Sequence, residues 1–223
     1  MSGTIIQAFA SPIARITYPF AEGVNEQLAD LVLARLYQVE NNHTYKVETS
    51  ADMADWGEPL IDALSAWVLQ VAGRFVETVT GRSLQDAFLE GVARDRNTFN
   101  GLRDAGDPGT ASIVASRSWA SLYTKGSHHP AHFHPNTALS AIYYVQAPQT
   151  CDIDLLDPRP HLDYFDPGIQ IADEGRNLRL RCRPGELLLF PGWLKHSVPE
   201  FDGESIRISM SWNLTYDVAA SGS

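Results

Sequence analysis

Five of the seven histidines fall in two places. Four lie in the run Ser127-His128-His129-Pro130-Ala131-His132-Phe133-His134, and His196 follows Pro191-Gly192-Trp193-Leu194-Lys195. Side chains alternate along a β-strand, so His132 and His134 on a strand would project from one face. With His196 from a distant strand they offer a divalent metal three facial ligands. The opposite face stays open, as a catalytic site requires and a closed structural site does not. An isolated histidine in a β-protein is ordinarily a surface or satisfied core residue, but this clustered pair with a third histidine after a Pro-Gly turn reads as a metal site. His128 and His129 are expected in a loop before the pair and His161 in a long insertion, in contact with solvent or substrate. His43, in an Asn-rich turn, carries no chemistry.

A second feature lies downstream. Arg207 and Ser209 are two residues apart in an alternating apolar segment and so share a face. An arginine inside such a strand is costly unless its guanidinium meets an anion. The planar fork suits a carboxylate, and the Ser209 hydroxyl can add a hydrogen bond. The alternative is an internal ion pair with an acid such as Asp154 or Asp157.

These residues need a scaffold, and the order of periodicities supplies one. Leu28, Leu31, Val32, Leu36 and Val39 fall at helical spacing, with a start near Gly23 or Asn25 and a stop at Asn41-Asn42. A second helix begins near Pro59, runs through Leu60, Leu64, Trp67, Val68, Val71 and Phe75, and ends at Gly81. Arg94 to Thr110 is a polar linker with an Asp107-Pro108-Gly109 turn. Beyond it the period becomes alternating: Ser118–Tyr123, Ala138–Val145, Asp152–Leu156, Leu178-Leu180-Cys182, Glu186–Phe190 and Ile206–Trp212 read as strands. Many short strands punctuated by Gly and Pro indicate a jelly roll. The expectation is one α+β domain over 1–223, mainly helical over 1–111, with the β-core over 112–216. The polar stretch Pro158 to Asn177 reads as a binding loop. Its acids Asp163, Asp166, Asp173 and Glu174 favour a cationic or polar partner.

Composition narrows the class. A net charge of -10 argues against a nucleic-acid footprint. Met1 to Pro19 has no basic stretch followed by an apolar core, so no signal peptide is expected; no apolar run reaches membrane-spanning length, and Cys151 and Cys182 have no metal or redox spacing. A cytoplasmic protein with reduced thiols is expected.

Together, Tyr123-x-x-Gly126-x5-His132-x-His134-Pro135, Ala141-Ile142-Tyr143-Tyr144-Val145, Gly185-Glu186-Leu187-Leu188-Leu189-Phe190-Pro191, His196 and Arg207-x-Ser209 resemble the Fe(II)/2-oxoglutarate oxygenases. Among these, the bacterial and phage-associated proteins built like prolyl hydroxylases are the most similar. The resemblance covers roughly Trp119 to Asn213. It implies a double-stranded β-helix (a cupin-like jelly roll) supported by N-terminal helices, with Fe(II) as metal and 2-oxoglutarate as cosubstrate. His132 and His196 would be ligands, and Arg207, aided by Ser209, would hold the distal carboxylate. Tyr144, with weaker support from Tyr123, would join them there. No catalytic side chain beyond the metal ligands is implied. The substrate would be a small molecule or a protein side chain.

One position departs from that pattern, because His134 stands where the family carries Asp or Glu. A neutral imidazole leaves the site one unit more positive and alters the electronics at the metal. Asp154 is the alternative third ligand. Two other classes remain open. A three-histidine cupin dioxygenase would share the histidine spacing, but Asn136 to Ile142 contain no acid and a cupin has no need of Arg207. A metal-bearing jelly roll without enzymatic activity would bind a partner through the long loop.

Overall fold

The computed structural model describes residues 10–36, 45–94, 109–148, 151–159 and 177–219. The Asn41-Asn42 stop, His43, the start of the Asp107-Pro108-Gly109 turn, His161 and the acids of the long loop lie outside these residues. In chain order come β1 (Ala14–Thr17), α1 (Ala21–Leu36), β2 (Val47–Glu48), a 3-10 turn (Met53–Trp56), α2 (Pro59–Thr80) and α3 (Leu84–Arg94). The strands β3 (Thr110–Tyr123), β4 (His129–His132), β5 (Leu139–Gln146), β6 (Asp152–Leu156), β7 (Asn177–Arg181), β8 (Glu186–Pro191), β9 (His196–Val198) and β10 (Arg207–Ala219) follow.

The strands form two antiparallel sheets, in the orders β1-β8-β5-β10-β3-β2 and β4-β9-β6-β7. This is the expected jelly roll. Its N-terminal part is less purely helical than the sequence suggests, since β1 and β2 join the larger sheet at opposite edges. Strands this short show no period, which is why neither is legible beforehand.

Local chemistry accounts for the helices. Pro59 opens α2, where a missing N–H costs nothing, and Gly81 closes it at φ 68 with its N–H on Glu77 O. Ile61, Leu64, Val68, Ala72 and Val76 form its buried stripe. Helix α1 starts at Ala21, earlier than expected, and buries Leu28, Ala29, Val32 and Leu36. Helix α3 fills the stretch between the expected Gly81 stop and the linker from Arg94, where no element was expected. Its signal is a capping box, in which Asp86 N–H donates to Ser83 Oγ and that hydroxyl donates to the Asp86 carboxylate.

The helices cover one face of the larger sheet. Ile208, Met210, Trp212 and Leu214 of β10 and Leu139, Ala141, Tyr143 and Val145 of β5 pack with them in one core. Trp212 Nε1–H reaches Ser65 Oγ on α2 at 3.1 Å, and Tyr143 O–H reaches Asn25 Oδ1 on α1 at 2.5 Å. The alternate residues point the other way, into the space between the sheets. Cys151 and Cys182 are free and buried there, and burial raises both thiols. Among the described residues no helix is long and apolar enough to cross a membrane.

Leu64 is fully buried beneath the sheet. Leu64→Ala is expected to cost about 2–5 kcal/mol, read from urea denaturation, because the rigid sheet cannot collapse onto the vacated volume.

Candidate metal centre and anion pocket

Between the sheets lies a small cleft. Histidines line one wall. His132 ends β4, His196 begins β9, and the two are direct cross-strand partners. His134 lies just past the end of β4 rather than on the strand, held by its N–H on Gly192 O at 3.0 Å. Their ring centroids are 4.2 Å (132–196), 5.1 Å (132–134) and 5.2 Å (134–196) apart. One nitrogen from each lies within 4.8 Å of the others, so the three could hold a metal ion.

Their tautomers follow from their partners. His132 Nδ1 lies 2.8 Å from Pro130 O and His196 Nδ1 lies 3.0 Å from Leu194 O. A carbonyl can only accept, so Nδ1 carries the proton and Nε2 keeps its lone pair for a metal. Burial holds all three imidazoles neutral: His134 is lowered to about 4, His196 to about 3, and His132 is lowered as well. Neutral imidazoles are the form that binds metals.

The turn between β8 and β9 sets the spacing. Gly192 donates to Ala138 O at 3.1 Å while its own carbonyl receives His134 N–H. A Cβ at 192 would lie 2.3 Å from Thr137 O, so only glycine lets the His134 loop approach the segment leading to His196. Asn136, at φ 56, turns the chain back toward β5.

Arg207 and Ser209 do share the inward face, both buried and both lining the cleft. The internal ion pair considered for Arg207 is not formed. Asp154 receives two 2.7 Å bonds from Arg179, and Asp157 is held by Arg159. Among the described residues Arg207 meets no carboxylate. Its Nη1–H donates to Asp152 O at 3.0 Å, its Nε–H has no partner, and it lies against the rings of Tyr123 (4.7 Å) and Tyr144 (5.3 Å). Tyr123 lines the cleft, and burial raises its phenol so that it stays protonated. Tyr144 sits behind the guanidinium instead. Its hydroxyl is buried beside the Cys182 thiol.

Asp154 is kept from the histidines by alternation. Ile153 and Leu155 face the interior, and Asp154 between them faces outward under Arg179. His128 is exposed as expected. His129 is not in a loop: it begins β4, opposite Val198, and its ring lies 3.9 Å from that of His132. The expectation failed because Pro130 masks a strand that pairs on one side only. Sequence reasoning also missed Lys46 and Trp119 in the cleft lining. The alternation Lys46-Val47-Glu48 was the available signal, with Val47 in the helix-facing core and the charges on the other face.

Residues 117–213 match the family described as "Putative 2OG-Fe(II) oxygenase". Over those residues the chain is similar to the 2OG-Fe(II) oxygenases. The oxygenase fold is shared with solved structures of low sequence identity. A Pseudomonas putida prolyl-4-hydroxylase is 13% identical over 91% of this chain and 91% of its own, with a TM-score of 0.56. HygX from Streptomyces hygroscopicus, solved with nickel and 2-oxoglutarate bound, is 13% identical over 92% of this chain and 82% of its own, with a TM-score of 0.54. A Trichoplax adhaerens prolyl hydroxylase, in complex with a hypoxia inducible factor peptide fragment, is 14% identical over 90% of this chain and 82% of its own, with a TM-score of 0.50. No curated protein matches the sequence.

Two predictions come from this geometry. Gly192→Ala is expected to weaken Co(II) binding in equilibrium dialysis at least tenfold, because overpacking at Thr137 displaces His134. The second concerns pH in the metal-free protein. Unfolded histidines titrate near 6.5, above the folded values of His134 and His196, so the unfolded chain binds more protons in between. Folding stability should therefore fall as pH drops from about 6.5 toward 5, above the carboxylate range. His196→Gln should flatten that slope in urea denaturation.

Proposed function

We propose that the chain is a 2-oxoglutarate-dependent Fe(II) oxygenase in which His132, His134 and His196 hold the metal and Arg207 with Ser209 holds the cosubstrate's distal carboxylate. The observation that carries this reading is a fully enclosed guanidinium that meets no carboxylate among the described residues, in the same cleft as the histidine cluster. A buried, unpaired charge costs several kcal/mol. A dianionic ligand reaching from the metal to Arg207 would relieve that cost and neutralise the divalent ion.

The donor set fits the metal, with three neutral imidazoles and two of them oriented through Nδ1. When bound, the iron with 2-oxoglutarate and oxygen supplies the oxidising chemistry. The protein's own residues bind, orient and exclude water. Arg207 and Ser209 set the reach of the keto acid, Tyr123 flanks the guanidinium, and Ile142, Ile153 and Val198 make the lining apolar between the polar ends. The Asp152 carbonyl holds one arm of Arg207, leaving Nε–H for the ligand.

With His134 in the position of an acid, the cluster contains no carboxylate among the described residues, and Asp154 is committed to Arg179. The three-imidazole set is shared with three-histidine cupins, but Arg207 would have no partner in such a site. The prime substrate would be a small molecule or a side chain presented at the cleft.

The test is anaerobic titration of Fe(II)-loaded protein with 2-oxoglutarate, following the visible metal-to-ligand charge-transfer band. The wild type should develop the band, and Arg207→Ala should need on the order of a hundredfold more 2-oxoglutarate, the cost of losing a buried charged hydrogen-bond partner. Iron uptake without a band in the wild type would sink the reading.

A further inference from the structure

Lys46 is the feature of the cleft that the oxygenase reading leaves unused. It precedes β2, outside the family-matched residues, and its side chain lines the cleft at 5% exposure. A buried ammonium needs partners. Its Nζ pairs with the Glu48 carboxylate and donates to His129 Nδ1 at 3.2 Å. An ammonium has three donors, and among the described residues none takes the third. Because Lys46 can only donate, His129 Nδ1 is the acceptor and its proton sits on Nε2. The His129 ring is stacked on Tyr45 at 5.3 Å and lies 3.9 Å from His132, so Lys46 is anchored beside the metal-side wall.

A purely structural Lys–Glu bridge does not account for this placement. A hydrophobic pair would stabilise a buried position as well or better. The cleft also holds Arg207, a second cation that opposes the charge on Lys46. A divalent metal and dianionic 2-oxoglutarate cancel, and Glu48 offsets one of the two cations. One positive charge is left over, in a chain whose net charge is -10. The unused third donor and this excess positive charge both favour an anionic oxygen beside Lys46.

We propose that Lys46, oriented by Glu48 and His129, is an anion-binding residue that receives a carboxylate distinct from the one Arg207 holds. This rests on the oxygenase reading. The carboxylate belongs either to the keto-acid end of 2-oxoglutarate or to the prime substrate, and the two sources are separable.

The experiment uses Co(II)-loaded protein, whose visible spectrum and paramagnetism report ligands near the metal without turnover. Wild type, Lys46→Met, Lys46→Arg and Arg207→Ala are titrated with 2-oxoglutarate and with pyruvate, which lacks the distal carboxylate. Acetate is then added at saturating 2-oxoglutarate while its methyl resonance is followed. If Lys46 takes the keto-acid end, Lys46→Met weakens both keto acids equally, about tenfold, the effect of one hydrogen bond to a charged group. Arg207→Ala then weakens 2-oxoglutarate alone, and Lys46→Arg recovers most of the loss. If Lys46 takes a substrate carboxylate, both keto acids bind Lys46→Met normally, but the acetate broadening seen in the wild type disappears. Either pattern supports the proposal. Lys46→Met indistinguishable from wild type in all three titrations, with 2-oxoglutarate binding still lost in Arg207→Ala, overturns it and leaves the oxygenase reading standing. A wild type that takes up no 2-oxoglutarate overturns both. Thermal melts establish that each variant is folded, and Lys46→Gln replaces Lys46→Met if the latter is not.

Discussion

Over Arg207–Leu214, strand β10 is enclosed on both faces, and the two faces are buried in different media. Ile208, Met210, Trp212 and Leu214 enter a dry core beneath the helices, while Arg207, Ser209, Ser211 and Asn213 enter a polar cleft. The period-two alternation of a strand is what separates them. A slip of one residue would put a guanidinium under α2 and a tryptophan in the cleft, so the helix-side core enforces the register that presents Arg207. The same division runs through its neighbours. Tyr123 and Ser121 on β3 stand opposite Arg207 and Ser209, and Tyr144 on β5 stands opposite Ser209. The helices do no chemistry, but without them the larger sheet has no reason to hold this register.

The smaller sheet solves a different problem, bringing His132 and His196, far apart along the chain, to adjacent positions on neighbouring strands. Backbone carbonyls two residues upstream of each orient the rings. The third ring needs a close crossing of two loops, which Gly192 permits. The site is therefore built from main-chain constraints, and it needs no side-chain carboxylate to aim the imidazoles. Burial keeps the rings neutral at the expense of stability in acid, and an enclosed arginine without a countercharge among the described residues adds to that cost. Both are groups whose folded state is more favourable with a ligand than without one, so binding and folding are coupled in this cleft.

Much of the site was legible in the sequence because its signals are local. Arg207-x-Ser209 needs only the period of a strand, and the Pro59 start and Gly81 stop of α2 need only helix-end chemistry; the His132-x-His134 spacing signals the cluster, but His134 lies past β4 and is placed by the Gly192 crossing. What was not legible depends on pairing between distant segments. β1 and β2 are too short to carry a period and exist only because β8 and β3 offer them an edge. Lys46 and His129 enter the site through such pairings. Tyr144 shows the converse: its place on an inward face was readable, but not that Arg207 would shield it from the cleft.

The sequence by itself determined which chemistry was available: a histidine set of metal-binding type, an arginine in an apolar strand, and a jelly roll preceded by helices. The tertiary structure decided the partners. It gave Asp154 and Asp157 to Arg179 and Arg159, left Arg207 without an acid among the described residues, and placed a lysine beside the histidines. The physical reason is that periodicity sets the face on which a side chain lies, whereas its neighbours across that face come from strand register, which the whole core must settle together.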